Sequence, residues 1–87
     1  MIPEKGKVLV DFYADWCGPC KAMKPTLEKF KDSSKIPLLE INVDTYGKIA
    51  QKYGVRSIPC FIVIEDEKEI SRKLGMQSLE QLKKLVE

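Results

Sequence analysis

The stretch VLVDFYADWCGPC, from Val8 to Cys20, decides how this chain is read. Val8 to Tyr13 is an apolar run interrupted once, by Asp11, and has the pattern of a buried strand. It leads into Trp16-Cys17-Gly18-Pro19-Cys20, where Pro19 suits the first turn of a helix because no amide hydrogen bond is lost there. A cysteine at a helix N-terminus ionises readily, since the positive end of the helix dipole stabilises a thiolate. Two cysteines two residues apart are ambiguous by themselves. Placed after a strand and opening a helix, they point to a disulfide that opens and closes.

Outward from this stretch, Met23, Leu27 and Phe30 recur at helical spacing between Pro19 and about Ser34, with Pro25 placed to kink the helix. Pro37 to Val43 is a second predicted strand. Asp44 or Thr45 is expected to cap a short helix reaching Tyr53, and Gly54 to end it. Pro59 to Glu65 is a third strand with a continuously apolar centre, Phe61-Ile62-Val63-Ile64. The charged stretch from Glu65 turns into a fourth, Glu69 to Leu74, which Gly75 breaks. Ser78 opens a last helix, with Leu79, Leu82, Leu85 and Val86 facing inward and Gln81 placed to complete a capping box. The predicted order is β-α-β-α-β-β-α. This is an α/β fold, a four-stranded mixed sheet flanked by three helices, with a parallel first pair and an antiparallel last pair. One domain is expected over residues 1–87.

Composition narrows the function. Fifteen basic and thirteen acidic residues are interspersed and leave a net charge of +2, so no extended field for nucleic acid or a membrane is implied. The segment Met1 to Lys5 has no apolar signal core and no run approaches a membrane span, which makes a cytoplasmic location the expectation. Three cysteines argue against a secreted disulfide framework. The bland alternatives for the pair are a structural disulfide or half of a zinc site, but three thiols and no histidine fall short of the usual four ligands. No Gly-rich nucleotide loop is present, so no cofactor is expected.

Individual residues carry roles. Cys17, nearer the helix start, is the candidate nucleophile, and Cys20, one turn on, the thiol that resolves the mixed disulfide. Asp11 is costly within an apolar strand; burial raises its pKa toward the range of proton transfer, whereas a partly exposed carboxylate at a strand end is the plain reading. Lys24 follows Cys20 by four residues on one helix face and is either a charge near the site or a solvated lysine. Cys60 is either a small buried hydrophobe or a third thiol able to pair with Cys20. Tyr46 and Tyr53 read as packing residues, and Tyr13 as a shield for the cysteines.

Taken in order, Val10-Asp11-Phe12, Trp16 to Lys21, Pro25, Val43-Asp44, Ile58-Pro59 and Gly75 resemble the thioredoxin family from about Val8 to the end of the chain. The resemblance implies a reductant of disulfides in other proteins, itself reduced by a thioredoxin reductase and monomeric. It implies that Asp11 lies beneath Cys20, and that Pro59 is cis and packs on the disulfide. It also implies that Trp16, Ile58, Pro59, Gly75 and Met76 form an apolar docking surface around Cys17, with Gly18 and Pro19 supporting the pair. Three departures stand out. Glu40 falls where many members carry lysine, Cys60 where threonine is common, and the usual first strand and helix are missing, which makes this a short form. The missing unit leaves the second strand at a sheet edge, where Pro37, Glu40 and Asn42 discourage edge-to-edge association. A glutaredoxin-like protein coupled to glutathione and a binding or assembly module on the same fold are the alternatives; Gly18-Pro19 and Asp11 favour the first reading.

Overall fold

Two apolar runs supply the middle of the sheet. In the computed structural model, which describes residues 1–87, they are β1 (Lys7–Tyr13) and β3 (Cys60–Glu65), paired antiparallel. β2 (Leu38–Asn42) lies parallel on the outer side of β1, and β4 (Lys68–Leu74) antiparallel on the outer side of β3, giving the order β2-β1-β3-β4. Side chains alternate across this sheet. Val8, Val10, Phe12, Cys60, Ile62 and Ile64 pack on one face, with Ala50 of α3 (Gly47–Lys52). Leu9, Phe61 and Val63 pack on the other, against α2 (Lys24–Ser33) and α4 (Leu79–Leu85). A central strand buried on both faces is what makes its sequence read as an unbroken apolar run. No helix is long and apolar enough to cross a membrane.

The predicted helix from Pro19 to Ser34 is divided. α1 (Gly18–Ala22) ends at Met23, whose N–H donates to the Cys20 carbonyl at 3.2 Å, and α2 then starts afresh. Pro25 causes this break. Its nitrogen has no proton for the Lys21 carbonyl and its ring crowds that carbonyl, so Pro25 is accommodated in the first turn of a new helix. Met23 is buried at the junction, beside Leu27 and Phe30.

The start of α3 also differs from expectation. Neither Asp44 nor Thr45 caps it; Tyr46 holds that position with no side-chain hydrogen bond. The Asn42 side chain has taken over the turn, its Oδ1 accepting from the N–H groups of Asp44 (2.8 Å) and Thr45 (3.3 Å). Tyr46 is exposed, so it is not the packing residue expected, whereas Tyr53 packs on the core. Gly54, at φ +63°, ends the helix as predicted: its N–H bonds the Gln51 carbonyl and that of Val55 bonds the Ala50 carbonyl, a Schellman closure.

β3 turns into β4 through Asp66 and Glu67, both at positive φ, the conformation a two-residue hairpin loop adopts to match the strand twist. Asp66 also clasps Gly6, accepting its N–H on Oδ1 at 2.8 Å and donating its own N–H to the Gly6 carbonyl. α4 begins with the predicted capping box: Ser78 Oγ accepts from Gln81 N–H, and Gln81 Oε1 from Ser78 N–H.

Candidate active site

The end of β1 delivers the chain to the cysteines. Cys17 is extended (φ −85°, ψ 108°) and occupies the N-cap of α1, with its Sγ accepting the Cys20 N–H at 3.1 Å. The two sulfurs are bonded, with Cα atoms 5.2 Å apart. α1 is five residues long, so this directed N–H contributes more to a Cys17 thiolate than the dipole of so short a helix. Exposure does not rank the two thiols: Cys17 is 4% and Cys20 7% exposed. Their surroundings do. Cys20, but not Cys17, lines a cavity of about 510 Å³ together with Asp11, Lys24, Lys31 and Glu40.

Asp11 is buried and its Oδ1 has no hydrogen-bond partner. Burial first, and then the charge of Glu40, push its carboxyl from 3.8 up to about 7. The expectation of a buried carboxylate therefore describes this residue better than a solvated strand end. Glu40 stands opposite Asp11 in the parallel register and is held by Lys31 at 3.2 Å. Lys24 lines the same cavity but is exposed and makes no ion pair with Asp11.

Around the disulfide, Tyr13, Val43 and Ile58 pack against the cluster of Ala14, Cys17 and Cys20. The Ile58–Pro59 peptide is cis, and Pro59 is buried. The Pro59 carbonyl accepts the N–H of Gly75 at 2.8 Å, which ties the loop after β4 to the start of β3. Gly75 adopts φ +82°, a conformation that favours glycine. Met76, next in the chain, and Trp16 are 55% and 69% exposed, large apolar side chains left in solvent. Gly18 and Pro19 are exposed on the opening turn between the cysteines.

Cys60 belongs to a different packing cluster from Cys17 and Cys20. It points to the opposite face of the sheet from Leu9 and Phe61, fully buried among Val8, Phe12 and Ile62, and burial pushes its thiol up. The small-hydrophobe reading fits this placement.

Sequence reasoning missed the partner of Trp16. Its indole Nε1–H donates to Asp44 Oδ2 at 2.8 Å, fixing an otherwise exposed ring beside Cys17. The signal lies in Asp44, a residue type that suits a helix N-cap equally well. Asp44→Ala is expected to lower stability by about 0.5–1.5 kcal/mol, toward the low end because the pair is exposed, as read from the denaturant midpoint. No change in the midpoint would mean that the bond is as good with water.

A family model described as Thioredoxin matches residues 1–87. Thioredoxin of Chlamydia caviae is 40% identical over 82 residues, covering 93% of this chain and 80% of the relative. Thioredoxin of Bacillus subtilis is 40% identical over 84 residues, covering 94% and 81%. Among solved structures, a mutant thioredoxin from Halobacterium salinarum NRC-1 superposes with a TM-score of 0.88 at 35% identity, covering 94% of this chain and 73% of that one. Fasciola hepatica thioredoxin superposes at 0.85 with 34% identity, covering 95% and 81%.

Proposed function

Because the chain belongs to the thioredoxin family, and is therefore a thiol–disulfide oxidoreductase with a redox-active Cys17–Cys20 pair, we propose how its residues divide the reaction. The Cys17 thiolate attacks one sulfur of a target disulfide; that S–S bond breaks, a mixed disulfide forms, and the first target sulfur leaves as a thiolate that takes a proton from water. Cys20 then gives its proton to Asp11 and attacks Cys17 Sγ. The second target thiolate leaves, the target has gained two electrons, and Cys17–Cys20 is oxidised. The observation that carries this division is the shared cavity of Cys20 and Asp11, set against the N–H received by Cys17.

Trp16, Ile58, Pro59, Gly75 and Met76 form the surface on which an extended target segment docks. Electrons return from a thioredoxin reductase, and the chain works as a monomer in the cytoplasm, where such pairs are kept reduced. Equilibrating the Cys17–Cys20 pair with defined thiol buffers tests the reading. A potential near roughly −270 mV, the value known for thioredoxin, is expected. A value near roughly −200 to −230 mV would point instead to coupling with glutathione.

A further inference from the structure

The segment between α3 and β3 brings Ile58 to the disulfide cluster, yet it has little backbone order of its own. Tyr53 closes α3, and the N–H groups of Gly54 and Val55 complete the turn. Arg56, Ser57 and Ile58 then make no backbone–backbone hydrogen bond. Val55 and Ile58 pack on the core, and Ile58 also touches the cluster of Ala14, Cys17 and Cys20. The place of this stretch is therefore decided by that packing and by what holds its two ends.

The end of β4 holds both. On one side the Pro59 carbonyl accepts the Gly75 N–H at 2.8 Å. On the other, the Tyr53 carbonyl accepts from Arg72 Nη2; it is one of those a helix terminus leaves without an intrahelical partner. Arg72 meets that carbonyl already oriented. Its Nε and Nη2 donate to Glu69 Oε2 and Oε1, both at 2.7 Å, a two-point fork that fixes the plane of the guanidinium. Nη2 carries two protons, so it serves Glu69 and Tyr53 together. Exposed ion pairs contribute little, but this one is bidentate, and its side chains are only 28% and 34% exposed. A lysine offers a single point of charge and no such fork.

We propose that Arg72, braced by Glu69, is a positioning residue for target docking: through the Tyr53 carbonyl it fixes one end of the segment that presents Ile58 and Pro59 to a target. Gly75 fixes the other end. The proposal rests on the reading of Ile58 and Pro59 as part of the target surface. Arg72 itself touches neither cysteine and takes no part in the exchange of bonds. A target binds only the arrangement in which Ile58 and Pro59 are in place, so its apparent affinity falls with the fraction of molecules that hold that arrangement. Releasing the Tyr53 end lowers this fraction and leaves the chemistry of the pair as it was.

The test measures reduction of two disulfides, insulin and the small aromatic disulfide dithiobis(nitrobenzoate), with dithiothreitol regenerating the dithiol. Wild type is compared with Arg72→Met, Arg72→Lys and Ile58→Ala, each first shown to be folded by its urea midpoint. Arg72→Met is expected to raise KM for insulin about 3–10-fold, the size of one hydrogen bond's net contribution, with kcat unchanged. Its turnover of the small disulfide and the potential of the Cys17–Cys20 pair are expected to stay at wild-type values, because neither uses the docking segment. Arg72→Lys keeps a cationic donor for the Tyr53 carbonyl and should restore part of the KM; it carries the same comparison if Arg72→Met does not fold. Amide exchange at Val55 should quicken in Arg72→Met and less so in Arg72→Lys. A merely structural role would lower the urea midpoint without moving KM. An insulin KM in Arg72→Met equal to wild type overturns the proposal alone if Ile58→Ala raises KM. It overturns the docking reading as well if Ile58→Ala leaves KM unchanged. A shifted potential in Arg72→Met also overturns the proposal, since the side chain would then act through the cysteines.

Discussion

Cys20→Ser is expected to abolish repeated turnover and to accumulate the chain as a covalent adduct with its target, visible as an added mass under non-reducing conditions. Cys17→Ser is expected to abolish turnover with no adduct at all. The difference follows from where the sulfurs sit. Cys17 holds the N-cap and receives the Cys20 N–H, so its thiolate is stabilised and attack on a disulfide starts there. The peptide N–H remains when residue 20 is serine, so the first step survives. The second step needs a thiol whose Cα lies 5.2 Å from that of Cys17, and a hydroxyl there is too weak a nucleophile. Cys60 is a poor substitute, because it is fully buried in a separate cluster and its thiol is pushed up by burial. An adduct formed by Cys17→Ser instead of Cys20→Ser would reverse the assignment of the two thiols.

The second large effect concerns stability. Asp11→Asn is expected to stabilise the protein increasingly as pH rises from about 4 to 7, and to hold a gain of at most about 4 kcal/mol at higher pH. In the unfolded chain Asp11 titrates near 3.8 and in the folded chain near 7. Between those values the native state keeps a proton that the unfolded state has lost. Wild-type stability therefore falls across this window; it is fully present below the unfolded value and lost as pH climbs through the folded one. Asparagine removes the charge and leaves the size and the unpaired carbonyl, so the variants should differ little at pH 4 and most at pH 9. Against a typical total of roughly 5–15 kcal/mol this is a large share, and in the proposed mechanism it is the cost of keeping a base behind Cys20. Urea midpoints at the two pH values decide the matter: a difference independent of pH would mean that the carboxylate is not the source of the penalty. The same variant should slow resolution of the mixed disulfide, since Cys20 loses its proton acceptor.

Legibility of the sequence followed the range of the interactions. Val8 to Tyr13 and Phe61 to Ile64 could be read as central strands because burial on both faces leaves an unbroken apolar run. Ser78 and Gln81 announced a helix start because a capping box is complete within four residues. Asp11 stood out because an apolar strand has no other reason to contain a charge. What escaped reading depended on side-chain paths between distant segments. Asp44 has the residue type of a cap, but its carboxylate accepts from Trp16, 28 positions away. The Lys31–Glu40 pair joins α2 to the edge strand β2, and Glu40 reaches its place opposite Asp11 through the register of two parallel strands, neither of which a local pattern states. Pro25 marks a disturbance, but a proline that bends a helix and one that divides it look alike in sequence; only the turn at Met23 and the fresh start of α2 distinguish them.

That division has a mechanical meaning. A continuous helix would transmit any tilt of its first turn along its whole length, into the side chains that hold the sheet covered. Here the ladder of hydrogen bonds is reset at Met23, so the reactive turn and the anchoring helix are separate cooperative units. Opening and closing a covalent bond between residues 17 and 20 requires the sulfurs to part and return once per cycle. The break at Met23 insulates Leu27 and Phe30 from that repeated displacement, so the turn that has to move can do so without disturbing the helix that covers the sheet.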